Sequence, residues 1–330
     1  MKKLLSLITM FAMAATMLVG CGGEAQESAK DNYEIGIIQY TAHPALDNAR
    51  EGFIEQLAEL GYVDGENCTI DVQNAQADQS NLKTISQKFV NDQKDLILAI
   101  ATPAAQSIAA ETKEIPILVT AVTDPADSGL CESNETPNTN VSGTSDLTPV
   151  KEQIALLKQM LPEAKKVAIM YCSGEQNSVI QANMAKVACE ENGLAYEELT
   201  VSNTNDVAQV TESAIGKFDA VYVPTDNILA SAMPLVTSIT NPKGLPVIVG
   251  EQGMVEGGGL ASVGIDYLQI GKQTGAMAAE IFGGADIKTM AIQYDSNPQL
   301  IVNESAAAEL GITIPDDIKA DAQVVNTVTQ

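Results

Sequence analysis

Two consecutive series in which short apolar runs alternate with helix-period segments constrain this chain more than any other feature. In the first, residues 34–39 read as an isoleucine-rich strand. Residues 45–60 follow with Leu46, Ala49, Phe53, Leu57 and Leu60 at helical spacing. Residues 69–73 alternate as a strand, 81–90 read as a helix, 96–101 as an apolar strand, 104–111 as a helix and 117–122 as a strand. A run that is apolar throughout suits a strand buried on both faces, and repeated strand–helix–strand units build a parallel sheet covered by helices. The second series is expected as helix 149–160, strand 166–171, helix 178–191, strand 195–200, helix 206–214, strand 220–223, helix 228–240 and strand 246–249.

Between the two series, residues 124–145 are rich in Pro, Gly, Asn, Ser and Thr and hold no long apolar run, which marks the expected crossing between domains. The tail holds a strand at 260–265, a helix at 268–282, extended pieces at 291–294 and 299–302, and a short helix at 304–310. These pieces are too few for a third domain, so they are expected to rejoin the two sheets and make the chain cross about three times. The expected fold is therefore α/β: two Rossmann-like lobes with parallel sheets joined by a three-segment hinge. Residues 34–144 with 251–292 are assigned to the first lobe, and 145–250 with 293–330 to the second. A multi-segment hinge suits opening and closing around a ligand.

The first residues point to a compartment. Lys2 and Lys3 precede an apolar run from Leu4 to Leu18, which ends in Leu18-Val19-Gly20-Cys21. A charged start, a short apolar run and a small residue before the cut describe a secretory signal over residues 1–20, and the run is short for a span of roughly 20 apolar residues. The four-residue ending resembles the bacterial lipobox, which implies lipidation at Cys21, anchorage to the membrane face through buried methylenes, and a flexible tether over residues 21–33.

Composition excludes several chemistries. The formal charge of −25 disfavours nucleic acid. His43 is the one histidine, so multi-histidine metal sites and acid–base machinery are ruled out by inventory, and no cofactor is expected. Arg50 is the one arginine, so a guanidinium clamp is not a general route to an anion. Cys68, Cys131, Cys172 and Cys189 form no C-x-x-C pair, and two disulfides or four buried thiols are both compatible with the spacing. No G-x-G-x-x-G follows the first strand, no G-x-S-x-G occurs, and Gln273 stands where a P-loop requires Ser or Thr, so an enzyme is not expected.

In open parallel sheets ligands bind beyond the carboxyl ends of the strands. Those ends carry polar clusters here: Gln39 and Tyr40; Thr102 and Pro103; Thr123 and Asp124; Ser145; Ser173, Glu175 and Asn177; Asp226; Glu251; and Asp266. Each cluster precedes a helix or a crossing, where free N–H groups favour an anion. The hydroxyls of Thr102 and Thr123 are candidates for a carboxylate, Asp226 or Glu251 for an ammonium, and Tyr40 and Tyr171 for an apolar or aromatic group. The same residue types are also ordinary helix N-caps.

Several of these segments carry a resemblance. Gln39-Tyr40-Thr41-Ala42-His43-Pro44, Gly52-Phe53 and Leu60-Gly61-Tyr62 resemble the aromatic amino acid (tryptophan/tyrosine) branch of ABC transporter substrate-binding proteins. So do Ala121-Val122-Thr123-Asp124-Pro125, Val223-Pro224-Thr225-Asp226-Asn227, Gly264-Ile265-Asp266-Tyr267 before Gly271, and the tail from Val302-Asn303 to Pro315. The resemblance implies a type I periplasmic-binding-protein fold and an extracytoplasmic monomer that serves an ABC permease and ATPase. It implies an aromatic L-amino acid as ligand, with its carboxylate at Thr102 and Thr123 and its ammonium at Asp226. A nucleoside, a sugar or another amino acid, or delivery of ligand to a membrane sensor, are the alternatives within the same fold.

Overall fold

The structure, a computed structural model, describes Lys30 and residues 32–328. The expected signal segment, Cys21 and nearly all of the tether lie outside these residues.

The first series folds as expected. Strands β1 (Tyr33–Gln39), β2 (Cys68–Asn74), β3 (Leu96–Ile100), β4 (Ile117–Val122) and β5 (Val141–Ser145) pair in parallel. The second series supplies β6 (Lys166–Cys172), β7 (Ala195–Val201), β8 (Ala220–Val223) and β9 (Val247–Val249), also parallel. The tail adds β10 (Ala261–Gly264), β11 (Gln293–Tyr294), β12 (Gln299–Asn303) and β13 (Gln323–Val325). The sheet orders are β11-β5-β4-β3-β1-β2 and β13-β12-β10-β9-β8-β6-β7, which makes two α/β lobes. The second sheet departs from a wholly parallel one, because β12 runs antiparallel to β10. Strands β3 and β4 are buried at every residue, as a sheet covered on both faces requires.

Three features differ from the sequence expectation. Strand β5 lies inside the stretch read as irregular. Its sequence, Val-Ser-Gly-Thr-Ser, has no apolar run, yet all five residues are buried. Side-chain hydrogen bonds take the place of apolar packing: Ser142 Oγ donates to the Met290 carbonyl at 2.6 Å, and Thr144 Oγ1 to Thr120 Oγ1 at 3.0 Å. Gly143 lies so close to β4 that a Cβ would fall 2.0 Å from the Val119 carbonyl oxygen. Next, residues 251–264 do not join the first lobe, because β10 pairs with β9 and β12 in the second sheet. The second crossing therefore follows Gly264. Finally, β11 pairs with β5 in the first sheet, which moves the third crossing to residues 295–298.

After the second crossing, the Tyr267–Phe282 helix packs along the Pro44–Glu59 helix of the first lobe. Glycines set their separation: a Cβ on Gly271 would meet the Ala49 carbonyl oxygen at 2.1 Å, and one on Gly52 the Leu268 carbonyl oxygen at 2.1 Å. Cys68, Cys131, Cys172 and Cys189 are buried free thiols. Among the described residues no helix is long and apolar enough to cross a membrane.

Candidate functional site

The carboxyl ends of the strands of both lobes converge on a tight cavity of about 10 Å³, room for about one water. His43, Leu46, Ala121 and Tyr267 line it from the first lobe, and Asp146 from the first crossing. Asn177, Thr225, Asp226, Asn227, Ala230, Glu251 and Met254 line it from the second lobe. A wider, more open groove places Tyr40, Ala77, Pro103 and Gln106 of the first lobe beside Cys172, Gly174, Glu175 and Ser202 of the second. The lobes touch across the cleft through Gln181 Nε2, which donates to Thr123 Oγ1 at 2.9 Å, and through His43 Nε2 and Asn227 Oδ1 at 3.2 Å. On the surface, Gln176 Nε2 donates to the Asp127 carbonyl at 2.6 Å.

Two of the strand ends facing the cleft are strained. Ala101, just after β3, has φ 79° and ψ 152°, and Ala121, within β4, has φ 54°. Such conformations cost of order 1–3 kcal/mol each in a residue with a Cβ and concentrate at ligand sites.

The electrostatics of the cavity are one-sided. Glu175 is 1 % exposed and Asn177 4 %. Glu175 Oε2 accepts from Asn227 Nδ2 at 2.6 Å, from the Asn227 amide at 3.2 Å and from Asn177 Nδ2 at 3.2 Å. Glu175 Oε1 and Asn177 Oδ1 are buried with no partner. Burial, and then the negative charge of Asp226, push the Glu175 carboxyl up to about 8. Burial also raises Glu251, to about 7, and raises Asp146 and Asp226. His43 is lowered by burial to about 4, so its ring is neutral at physiological pH. Its Nδ1 and the Thr102 hydroxyl are further buried atoms without partners.

The structure brings Asn177, Asp226 and Glu251 to the cavity, and Tyr40, Pro103 and Glu175 to the open groove. Within this set the roles differ from the simplest sequence reading. Asp226 caps its helix, with Oδ1 accepting from the Leu229 amide at 2.9 Å and Oδ2 from the Cys172 amide at 2.5 Å. Both of its oxygens are thus engaged by backbone, whereas Glu175 keeps one free. Glu251 accepts from the amides of Gly253 and Met254 while lining the cavity. Thr102 is fully buried at the start of the Thr102–Glu111 helix.

Other candidates are held away from the cavity. Gln39 is fully buried, and its amide is occupied: Nε2 donates to the Thr41 carbonyl and to Asp47, and Oε1 accepts from Arg50 at 2.7 Å. The one arginine is thereby committed to the first lobe. The Thr123 hydroxyl donates to Asp146 Oδ1 at 3.1 Å and accepts from Gln181, so both functions are used. Ser145 Oγ donates to the Thr123 carbonyl at 2.7 Å and shapes the first crossing. Asp124 accepts from the Asp127 amide and from Asn134 Nδ2, which orders its own loop. Ser173 is exposed beyond the end of β6. Asp266 is an exposed cap, accepting from the Gln269 amide at 3.0 Å, and borders a different surface groove. Tyr171 packs in the core of the second lobe and donates to Glu198 at 2.7 Å, so its ring is not offered to the cleft.

The cavity is also lined by Asp146, Tyr267, Asn227 and His43, which the sequence reading did not single out as candidates. Tyr267 OH donates to Asp146 Oδ2 at 2.8 Å and ties the first crossing to the helix that follows the second. Two signals were available: Tyr267 directly follows Asp266 in the quoted Gly264–Tyr267 segment, and the single histidine stands immediately before Pro44 at a helix start.

Comparison with known proteins shows the family and the fold. A sequence model of the family described as ABC transporter substrate binding protein matches residues 34–326. A tyrosine-binding protein of Clostridioides difficile is 41 % identical over 318 residues, covering 94 % of this chain and 92 % of that one. The crystal structure of an ABC domain from Streptococcus pneumonia in complex with L-Trp is 38 % identical, covers 89 % of this chain and 100 % of that one, and superposes with a TM-score of 0.87. The ligand-free, open structure of a substrate binding protein with adhesive properties from Clostridium difficile is 43 % identical, covers 90 % and 100 %, and superposes with a TM-score of 0.69.

Proposed function

The chain belongs to the ABC transporter substrate-binding protein family, whose members bind solutes rather than transform them, and we propose that its solute is an aromatic L-amino acid held between the two lobes. The observation that carries the reading is the pair of unpartnered, buried acceptors Glu175 Oε1 and Asn177 Oδ1. A buried carboxylate oxygen without a donor is costly. A ligand ammonium supplies the missing donors and charge. Leu46, Ala121, Ala230 and Met254 give the cavity an apolar side, and the Tyr40 ring lines the open groove between the lobes, where it suits an aromatic side chain. The Thr102 hydroxyl and the free amides at its helix start are the donors left for a carboxylate.

The relatives support this reading, since one is named for tyrosine and another holds L-Trp. The better superposition on the L-Trp complex than on the open form, despite lower identity to the former, fits a closed arrangement of the lobes. Ligand that touches both lobes shifts an open–closed equilibrium by its contacts in the closed form alone. We further propose that the chain is an extracytoplasmic lipoprotein anchored through Cys21 and that it delivers its ligand to an ABC permease. Calorimetric titration of ligand-stripped protein with L-tyrosine, L-tryptophan and L-phenylalanine tests the ligand. Saturable binding in the micromolar range or tighter, at least about 8 kcal/mol, is the expected result. No heat with any of the three would discard the aromatic amino acid.

A further inference from the structure

The hydrogen-bond chain across the cleft has a direction. In its ionised form, the one that an ammonium selects, Glu175 accepts only, so Asn227 presents its Nδ2 to Glu175, at 2.6 Å, and its Oδ1 to His43, at 3.2 Å. His43 Nε2 therefore carries the ring proton, and Nδ1, buried and unpartnered, is a bare acceptor. Among buried side-chain atoms there are thus unpaired acceptors on Glu175, Asn177 and His43, and on the donor side the Thr102 hydroxyl, beside the free amides at its helix start. Charge leans the same way. Asp146, Glu175, Asp226 and Glu251 are buried, and no lysine or arginine lines the enclosed cavity. Lys83, at the open groove, is exposed. No group of three or more His, Cys, Asp or Glu among the described residues is placed to hold a metal ion.

We propose that this cleft selects its ligand by a primary ammonium group and treats the carboxylate as secondary, so that arylalkylamines lacking a carboxylate are ligands while aromatic acids lacking the amine are not. The aromatic half of the statement rests on the function proposed above; the ammonium half rests on the unpaired acceptors. An ammonium brings three donors and no acceptor, and pairing it removes the penalty on Glu175. A carboxylate entering the cleft meets neutral donors, the three acids that line the cavity, Asp146, Asp226 and Glu251, and Glu175 at the open groove.

The test is calorimetric titration of ligand-stripped protein with L-tyrosine, tyramine and 3-(4-hydroxyphenyl)propionate, and with L-tryptophan, tryptamine and indole-3-propionate. Tyramine or tryptamine is expected within about tenfold of its parent amino acid. The desamino acid is expected to be weaker than the amine by about a hundredfold or more, the effect of leaving a buried charge unpaired. In Glu175→Gln the amine's advantage should shrink at least tenfold. A desamino acid that binds as well as the amine overturns the inference, even where the amino acid itself binds. Amines that bind where no amino acid does would uphold it and reject the amino acid as ligand. Failure of amines and amino acids alike rejects both.

Discussion

Replacing Glu175 by glutamine should weaken ligand binding and, at the same time, stabilise the empty protein. The substitution keeps the side chain's shape and leaves an acceptor for Asn227 and Asn177, which now donate to Oε2 at 2.6–3.2 Å. What it removes is the charge facing the ligand ammonium. Hydrogen bonds to charged groups contribute about 1.5–3 kcal/mol, and truncating one partner of a buried charged pair costs about 2–5 kcal/mol. Because glutamine's one oxygen stays with Asn227 and Asn177 and its NH2 takes the place facing the ammonium, the full range applies, about 2–5 kcal/mol, or roughly 30- to 5,000-fold in Kd. In the empty protein the sign reverses. Burial and Asp226 already push the Glu175 carboxyl up to about 8, so the ionised form is disfavoured there, and a neutral amide relieves it. Calorimetry reads the first effect and thermal unfolding without ligand reads the second. An unchanged Kd together with a lowered Tm would refute the reasoning, because it would make Glu175 a structural acid. Asp226→Asn is the contrast: its oxygens serve the Cys172 and Leu229 amides, so loss of stability should dominate.

Glu175 and Glu251 have folded values raised from 4.5 to about 8 and about 7, so between these values the folded protein holds protons that the unfolded chain has released; their contribution to the stability of the empty protein should be greatest below pH 4.5, fall from there to about pH 7 and 8, and level off above, readable as a falling Tm. Amine binding at neutral pH should then release protons from Glu175, seen as a dependence of the calorimetric heat on buffer ionisation enthalpy. Ala101→Gly relieves a backbone at φ 79° and ψ 152°; after the entropy that glycine adds to the unfolded chain, a gain of roughly 1 kcal/mol is expected by denaturant titration. Gly271→Ala drives a Cβ to 2.1 Å from the Ala49 carbonyl oxygen, and a loss of about 1–3 kcal/mol or more is expected in the same assay.

The α/β layering was legible because strands such as Leu96–Ile100 and Ile117–Val122 are apolar throughout, and only a sheet covered on both faces uses such runs. Strand β5 was not, since its burial is secured by Ser and Thr hydrogen bonds and by a glycine, none of which raises hydrophobicity. The tail strands misled for a related reason: sequence shows that β10 and β11 are extended, while their sheet membership depends on long-range pairing. That a cavity lies at the strand ends of both lobes followed from topology. Which strand-end side chain is available did not follow. Gln39 is taken by Arg50, Thr123 by Asp146 and Gln181, and Asp124 by its own loop, and each partner comes from a different segment of the chain. Of the acids at strand ends, Glu175 and Asp226 look alike in sequence; only the count of donors reaching each separates the one with a free oxygen from the one without.

The most direct test is a crystal structure of the protein grown with L-tyrosine or L-tryptophan. The account requires the ligand nitrogen within hydrogen-bond distance of Glu175 Oε1 and Asn177 Oδ1, between the lobes, with its ring toward the apolar side of the cavity. A ligand bound with its carboxylate toward Glu175, or bound outside the cleft while Glu175 Oε1 stays unpaired, would contradict it.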